Sequence, residues 1–154
     1  MMGGVLVDTN VVVYAYASDA RKRARAVDVM DCLVRGGAAV LSTQVLAEFS
    51  VAARRKLQPP LTWAQIAARV QNYLTSWRVL EVTGPIIMEA VRGVEQHGFS
   101  YWDAQIWATA RLNQIPVVLS EDLGSRSTPV EGVLFVDPFA PDFDPVGFIN
   151  TLLF

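Results

Sequence analysis

Short apolar runs alternate along the chain with stretches whose apolar positions recur every three or four residues. The runs are Gly4–Val7, Ala39–Leu41, Val79–Val82, Val117–Leu119 and Val133–Val136. Brief, continuous apolar segments of this kind mark strands buried on both faces. Between them the period is helical. Asp19 suits the N-cap of a helix with the stripe Val27, Met30, Leu33 and Val34, stopped by Gly36-Gly37. Thr62-Trp63-Ala64-Gln65 has capping-box spacing and leads into Ile66, Val70, Tyr73, Leu74 and Trp77 on one face. Pro85 suits a first helical position, His97-Gly98 the far end of that helix, and Ser100 opens another. Strands alternating with helices imply parallel pairing through right-handed crossovers, so the expected fold is α/β, a central five-stranded parallel sheet between helical layers. Functional groups in such sheets gather beyond the carboxyl ends of the strands, near the point where strand order reverses.

The 154 residues make about one domain, large enough to bury roughly two thirds of the unfolded surface in one core. The hydrophobic fraction of 52% and mean hydropathy of +0.30 are high for a chain of this length and leave apolar surface for a partner. No run approaches 18 apolar residues, and the start of the chain lacks the basic stretch and apolar core of a signal peptide, so a cytoplasmic protein with no membrane partner is expected. The single cysteine, Cys32, falls on an apolar helix stripe and reads as a small core residue. A last segment, 140–154, starts with prolines and ends apolar, and is expected to pack on the domain formed by residues 1–139 or on a partner subunit.

A net charge of -2 conceals an asymmetry, since residues 1–92 carry 11 Lys/Arg against 7 Asp/Glu and residues 93–154 carry 2 against 8. The basic excess gathers in Arg21, Lys22, Arg23 and Arg25 and in Arg54, Arg55 and Lys56. Such clusters can contact phosphates, although a helix face that only solvates the fold has the same composition.

Four acids stand at places the alternating layout brings to one edge. Asp8 follows the first strand and Asp122 the fourth, while Glu48 and Asp103 occupy early turns of helices that begin at that edge. Each has an innocent alternative. Asp8 or Asn10 could cap a helix beginning near Val11, Asp103 has capping-box spacing from Ser100, Asp122 could sit in a turn, and Glu48 could be a solvated helix acid. Together they demand more, because two like charges about 4 Å apart repel by roughly 4 kcal/mol at an effective dielectric near 20, so a cluster needs protonation or a bound cation. All-oxygen ligation points to Mg²⁺ or Mn²⁺ rather than zinc. The one histidine, His97, reads as a cap or surface residue and not a ligand. A metal-loaded acidic pocket suits phosphodiester hydrolysis by activated water. No G-x-S-x-G, P-loop or G-x-G-x-x-G is present to support covalent or nucleotide-cradle chemistry.

Four phrases carry a resemblance: Leu6-Val7-Asp8-Thr9-Asn10 with Tyr14, Ser42-Thr43-Gln44-Val45-Leu46-Ala47-Glu48-Phe49, Ser100-Tyr101-Trp102-Asp103-Ala104, and Leu119-Ser120-Glu121-Asp122-Leu123. In this order and at these intervals the chain resembles the PIN-domain ribonucleases, and within them the VapC-like toxins of toxin–antitoxin pairs, from about Val5 to Phe139. The resemblance implies a three-layer α/β/α sandwich in which Asp8, Glu48, Asp103 and Asp122 are the catalytic acids. Asp8 and Asp103 look like the principal ligands of Mg²⁺ or Mn²⁺, Glu48 and Asp122 like ligands of a second ion or of metal-bound waters. Asn10 and Ser120 match pocket-lining positions, and either Glu121 or Asp122 faces inward. The implied partners are an RNA substrate, gripped by the basic clusters with salt-sensitive affinity, a cognate antitoxin and a second subunit. The antitoxin of such pairs lays a helix along an apolar groove near the early helices.

Other readings compete. A phosphoacceptor domain would need an acceptor Asp after the third strand and a Lys after the fifth, and the only lysines are Lys22 and Lys56. A D-x-D phosphatase is weakened by Asn10 at the second position. A non-catalytic PIN-like binding protein for RNA or a partner, or a PIN nuclease of RNA processing, shares the whole pattern.

Overall fold

The structure is a computed structural model that describes residues 3–123, 126 and 128–153. In chain order its elements are β1 (Val5–Val7), α1 (Thr9–Tyr14), α2 (Ala20–Arg35), β2 (Ala39–Ser42), α3 (Thr43–Arg55), α4 (Trp63–Ser76), β3 (Arg78–Leu80), α5 (Gly84–His97), α6 (Tyr101–Leu112), β4 (Val117–Leu119), β5 (Leu134–Val136) and α7 (Pro145–Leu153). The five strands form one all-parallel sheet in the order β3-β2-β1-β4-β5. The chain steps outward from β1 to β3 and then returns past β1 to β4. Right-handed crossovers therefore put α1 to α4 on one face and α5 and α6 on the other, the three layers expected.

β1 is the centre. Val5, Leu6 and Val7 are fully buried and pair with Ala39 and Val40 on one side and Val117, Val118 and Leu119 on the other. Strands enclosed on both faces need continuous apolar runs, which is why these segments were legible as strands.

The helix boundaries follow their caps. Asp19 accepts from the backbone amides of Arg21 and Lys22, Thr62 and Gln65 form the reciprocal capping box, and Gly98 closes α5 at φ 71°. Four details depart from the sequence reading. α1 starts at Thr9, so Asp8 itself is its N-cap, and Pro85 is the second residue of α5, behind the Thr83 cap. β3 begins at Arg78 and stops at Leu80, short of Val82. On α2 the buried face is Ala26, Val29, Met30, Cys32 and Leu33, whereas Val27 and Val34 remain 43% and 45% exposed. These two valines turn instead toward a groove shared with Tyr73 of α4 and with Trp77 just beyond its end.

The last segment runs without helix through Phe143 and then forms α7, whose first turn is fastened by Asp144 accepting from the Gly147 amide at 3.1 Å. α7 lies against α2, with Ile149 buried beside Gly36. Phe154 lies outside the described residues.

Candidate active site

Strand order reverses between β1 and β4, which are neighbours in the sheet although β2 and β3 intervene in sequence. The crevice at their carboxyl ends is the topological switch point, where open α/β sheets bind ligands. Asp8 leaves β1 there and Ser120, Glu121 and Asp122 leave β4, the two exits being joined by the Asp8 amide donating to the Leu119 carbonyl at 2.9 Å.

Asp8 is only 7% exposed. One carboxylate oxygen accepts from the Thr9 amide at 2.7 Å and the other from Ser120 Oγ at 2.8 Å. Its pKa is nonetheless pushed up to about 6. Burial is the chief cause; the hydrogen bonds from Ser120 and Thr9 oppose it, and the negative charges of Glu48 and Asp103 add to it. Through those charges, residues 40 and 95 positions away along the chain register at one carboxylate.

Asn10 is the hub of the pocket. Its Nδ2 points at Asp8 Oδ2 (3.4 Å), Ser120 Oγ (3.3 Å) and Asp122 Oδ2 (3.4 Å), and its Oδ1 accepts from the Glu121 amide at 3.2 Å. One amide group thus ties the turn after β1 to the turn after β4. In metal sites, an outer partner that orients the ligands' carboxylates typically contributes 10- to 100-fold to affinity. Asn10→Ala is expected to weaken Mn²⁺ binding by about tenfold or more, measured by calorimetric titration, and affinity equal to the parent's would show that the acids hold their places without it.

Glu121 and Asp122 face opposite ways. Glu121 accepts from Tyr14 Oη and from Lys22 Nζ, both at 2.8 Å, and Lys22 also donates to the Tyr14 hydroxyl at 3.0 Å. Burial would raise the Glu121 carboxyl, but these two donors outweigh it and hold the group below its ordinary value. With Glu121 engaged on the outside, Asp122 is left to Asn10 and the pocket, a cavity of about 370 Å³ that Asp8, Tyr14, Lys56 and Leu57 also line.

Glu48 extends from α3 at an exposed position and accepts from Gln44 Nε2 at 2.6 Å; the same nitrogen donates to the Trp102 carbonyl at 3.1 Å. Asp103, half-buried in the first turn of α6, donates its amide to Ser100 Oγ at 3.3 Å. Asp8 therefore caps α1 as well as facing the crevice, whereas the cap of α6 is Ser100 and Asp103 contributes only its backbone amide. Among the described residues, no three carboxylate, imidazole or thiol side chains close into a ready-made ligand group.

The remaining residues singled out in the sequence divide sharply. His97 is outside the crevice, where its Nε2 meets Glu131 Oε2 at 2.6 Å. Lys22 is paired with Glu121, Arg23 binds the Ala17 carbonyl at 2.7 Å, and Arg25 binds the carbonyls of Pro138 (3.0 Å) and Phe143 (2.7 Å), clamping the last segment to α2. Arg54 donates to the Leu61 carbonyl at 3.1 Å and lies over Trp63. Arg21 is exposed, and Arg55 and Lys56 are exposed beside the acids. Gln44 and Tyr14 were not among the expected site residues, and Lys22, expected at RNA phosphates, is engaged with Tyr14 and Glu121. Gln44 sits four residues before Glu48, a spacing that places both on one helix face and could have marked it.

Chemically, the four acids offer only oxygen donors, and one of them is a buried carboxylate raised chiefly by its burial and further by its neighbours' charge. Such a set fits a hard divalent cation.

Solved structures share this architecture. VapC20 of Mycobacterium tuberculosis, a sarcin-ricin loop cleaving toxin, is 24% identical, with TM-score 0.56 over 75% of this chain and 87% of its own. FitAcB from Neisseria gonorrhoeae is 22% identical, with TM-score 0.62 over 88% of this chain and 98% of its own. The DNA-bound VapBC of Salmonella typhimurium is 17% identical, with TM-score 0.61 over 89% and 99%. At these identities the likeness is one of fold. Among curated proteins none matches this sequence. The PIN domain family pattern matches residues 5–129, most of the chain and all four acidic phrases. The chain belongs to the PIN domain family.

Proposed function

We propose that this protein is a divalent-metal-dependent endoribonuclease, the toxin of a VapBC-type toxin–antitoxin pair acting in the cytoplasm. The observation that carries the reading is the convergence at the switch point: buried Asp8, tied through Asn10 to Asp122, with the charges of Glu48 and Asp103 on it. Family membership and the toxin and toxin–antitoxin structures of the same fold support it.

Asp8, Glu48, Asp103 and Asp122 would hold Mg²⁺ or Mn²⁺. When bound, the ion supplies charge neutralisation at the phosphate and a water of lowered pKa. The chain's own part is orientation. Ser120 and the Thr9 amide fix the Asp8 carboxylate, Asn10 sets Asp122 against it, and Gln44 holds Glu48 toward the first turn of α6. Exposed Arg55 and Lys56 beside the pocket suit RNA phosphates, and of the earlier cluster Arg21 is the exposed member without an internal contact among the described side-chain hydrogen bonds and ion pairs.

Residues 1–139 then form the PIN domain, and 140–154 an extension held by Arg25 and by α7 on α2. The groove between α2 and α4, with Val27 and Val34 exposed on one side and Tyr73 and Trp77 on the other, suits an antitoxin helix. A homodimer is the expected assembly. No described helix is long and apolar enough to cross a membrane.

The test is cleavage of an RNA panel with Mg²⁺ or Mn²⁺ and with EDTA. Metal-dependent cutting is expected from the parent and none from Asp8→Asn. RNA binding by the parent without any cutting would assign it to the non-catalytic alternative, and a structured precursor RNA cut in preference to others would favour RNA processing.

A further inference from the structure

Beside the carboxylates, between α3 and α6, lies a groove of about 710 Å³. Ala47 and Val51 of α3 and Val82 from beyond β3 make its apolar surface, and Trp102 forms one wall. Trp102 is 62% exposed, immediately before Asp103. A large indole held in water at the lip of an acidic crevice lacks a core role. Its place is nevertheless determined: Gln44 Nε2 bridges the Trp102 carbonyl and the Glu48 carboxylate, so the wall of the groove and one of the acids are hung on one amide.

The groove adjoins the acidic cavity, since Ala52 and Lys56 line both. Arg55 and Lys56 stand at the groove, and among the described residues neither has an ion-pair partner. An aromatic face, a short apolar floor and two free cations next to a phosphodiester-cleaving pocket form the combination by which proteins hold unpaired nucleotides. A partner helix is a poorer fit, because it needs a long apolar strip and this floor is interrupted by Glu48, Arg55 and Lys56.

We propose that this groove receives one unstacked base of a single-stranded RNA segment, stacked on Trp102, with Arg55 and Lys56 on the flanking phosphates. The assignment rests on the ribonuclease reading of the adjacent pocket and adds to it the groove that holds an unpaired base and the residue on which that base stacks.

The test is binding of a fluorescein-labelled single-stranded oligoribonucleotide to the full chain in Ca²⁺, followed by anisotropy, alongside cleavage in Mg²⁺. Trp102→Ala is expected to weaken binding by about 10- to 100-fold, the range for removing a base-stacking aromatic. Trp102→Phe should retain most of the affinity, and both variants should melt with the parent because the side chain is exposed. An abasic nucleotide at the stacked position should cost the parent the same factor and cost Trp102→Ala nothing further. Arg55→Ala should lower the slope of log affinity against log salt by about one. Equal RNA binding by Trp102→Ala and the parent overturns the proposal, and if the parent still cuts RNA the ribonuclease reading stands. A parent that neither binds nor cuts RNA overturns both. Loss of a protein partner instead of RNA upon Trp102→Ala would assign the groove to protein and overturn it as well.

Discussion

Asp8→Asn is expected to make the metal-free protein more stable at neutral pH while removing the proposed nuclease activity. The folded-state pKa of Asp8, about 6 against an ordinary 3.8, means that the native protein holds this proton more tightly than the unfolded chain does. The sign follows from linkage. The favourable contribution of protonated Asp8 is complete below about pH 3.8, declines as pH rises and is gone above about 6. At pH 7 the ionised group costs about 3 kcal/mol. Asparagine removes that charge but impairs the bond from Ser120 Oγ, which returns about 1 kcal/mol. The net gain of roughly 2 kcal/mol raises the melting temperature by about 4–8 °C for a chain of this size. The parent should lose stability between pH 4 and 7 more steeply than the variant. Mg²⁺ should stabilise the parent and have much less effect on the variant, because an ion that binds only the native state adds stability by mass action. Thermal melts across pH, with and without Mg²⁺, decide the matter. A variant less stable than the parent at pH 7 would mean that the Asp8 carboxylate holds the crevice together instead of straining it.

Trp107→Ala should be among the most damaging single substitutions in the chain, costing about 3–5 kcal/mol. The indole is fully buried between α5 and α6, with Phe99 at 5.6 Å and His97 at 5.3 Å between ring centres, and its Nε1 donates to the Val130 carbonyl at 3.0 Å. Truncation leaves a large cavity and removes one of the two donors to the Val130 carbonyl, the Val133 amide remaining. The contact is tight from the other side as well: a Cβ at Gly93 would lie 2.7 Å from Trp107 Cζ3, so Gly93→Ala should destabilise by about 1–3 kcal/mol through overpacking. Trp107 is one helical turn beyond Asp103, so its anchorage also aims that carboxylate at the crevice. Urea unfolding gives the stability change, and metal titration under native conditions gives the second effect. A loss of stability with unchanged metal affinity would separate the core of α6 from its functional end.

The sheet was legible because its strands are enclosed. Val117–Leu119 was located to the residue, since a strand buried on both faces has to be apolar throughout. Edges were less legible: Val82 belongs to the apolar run but lies beyond the last paired residue of β3, where pairing and not hydropathy sets the end. α2 shows the limit of a helical stripe, because Val27 and Val34 have the right spacing for a core face yet look out over a groove toward α4. Periodicity identifies an apolar side without saying whether another element of the same chain covers it. For the site, each acid carries local phrasing that a sequence displays, and the Ser100 cap could be anticipated to the residue, whereas for α1 the sequence left Asp8 and Asn10 both open. The choice between Glu121 and Asp122 could not. It depends on Lys22 and Tyr14, which reach the turn from distant points in the chain.

Sequence by itself determined that this is an alternating α/β chain with four carboxylates at strand ends and early helix turns, because burial patterns and capping are local chemistry. Tertiary structure alone decided which of two adjacent acids faces the crevice and that Asn10 joins its two sides. It also decided that Arg25 is occupied with the last segment while Arg55, beside Trp102, has no ion-pair partner among the described residues. Those outcomes depend on which backbone and side-chain groups compete for each donor, and the competitors meet only when the sheet order brings β4 back beside β1.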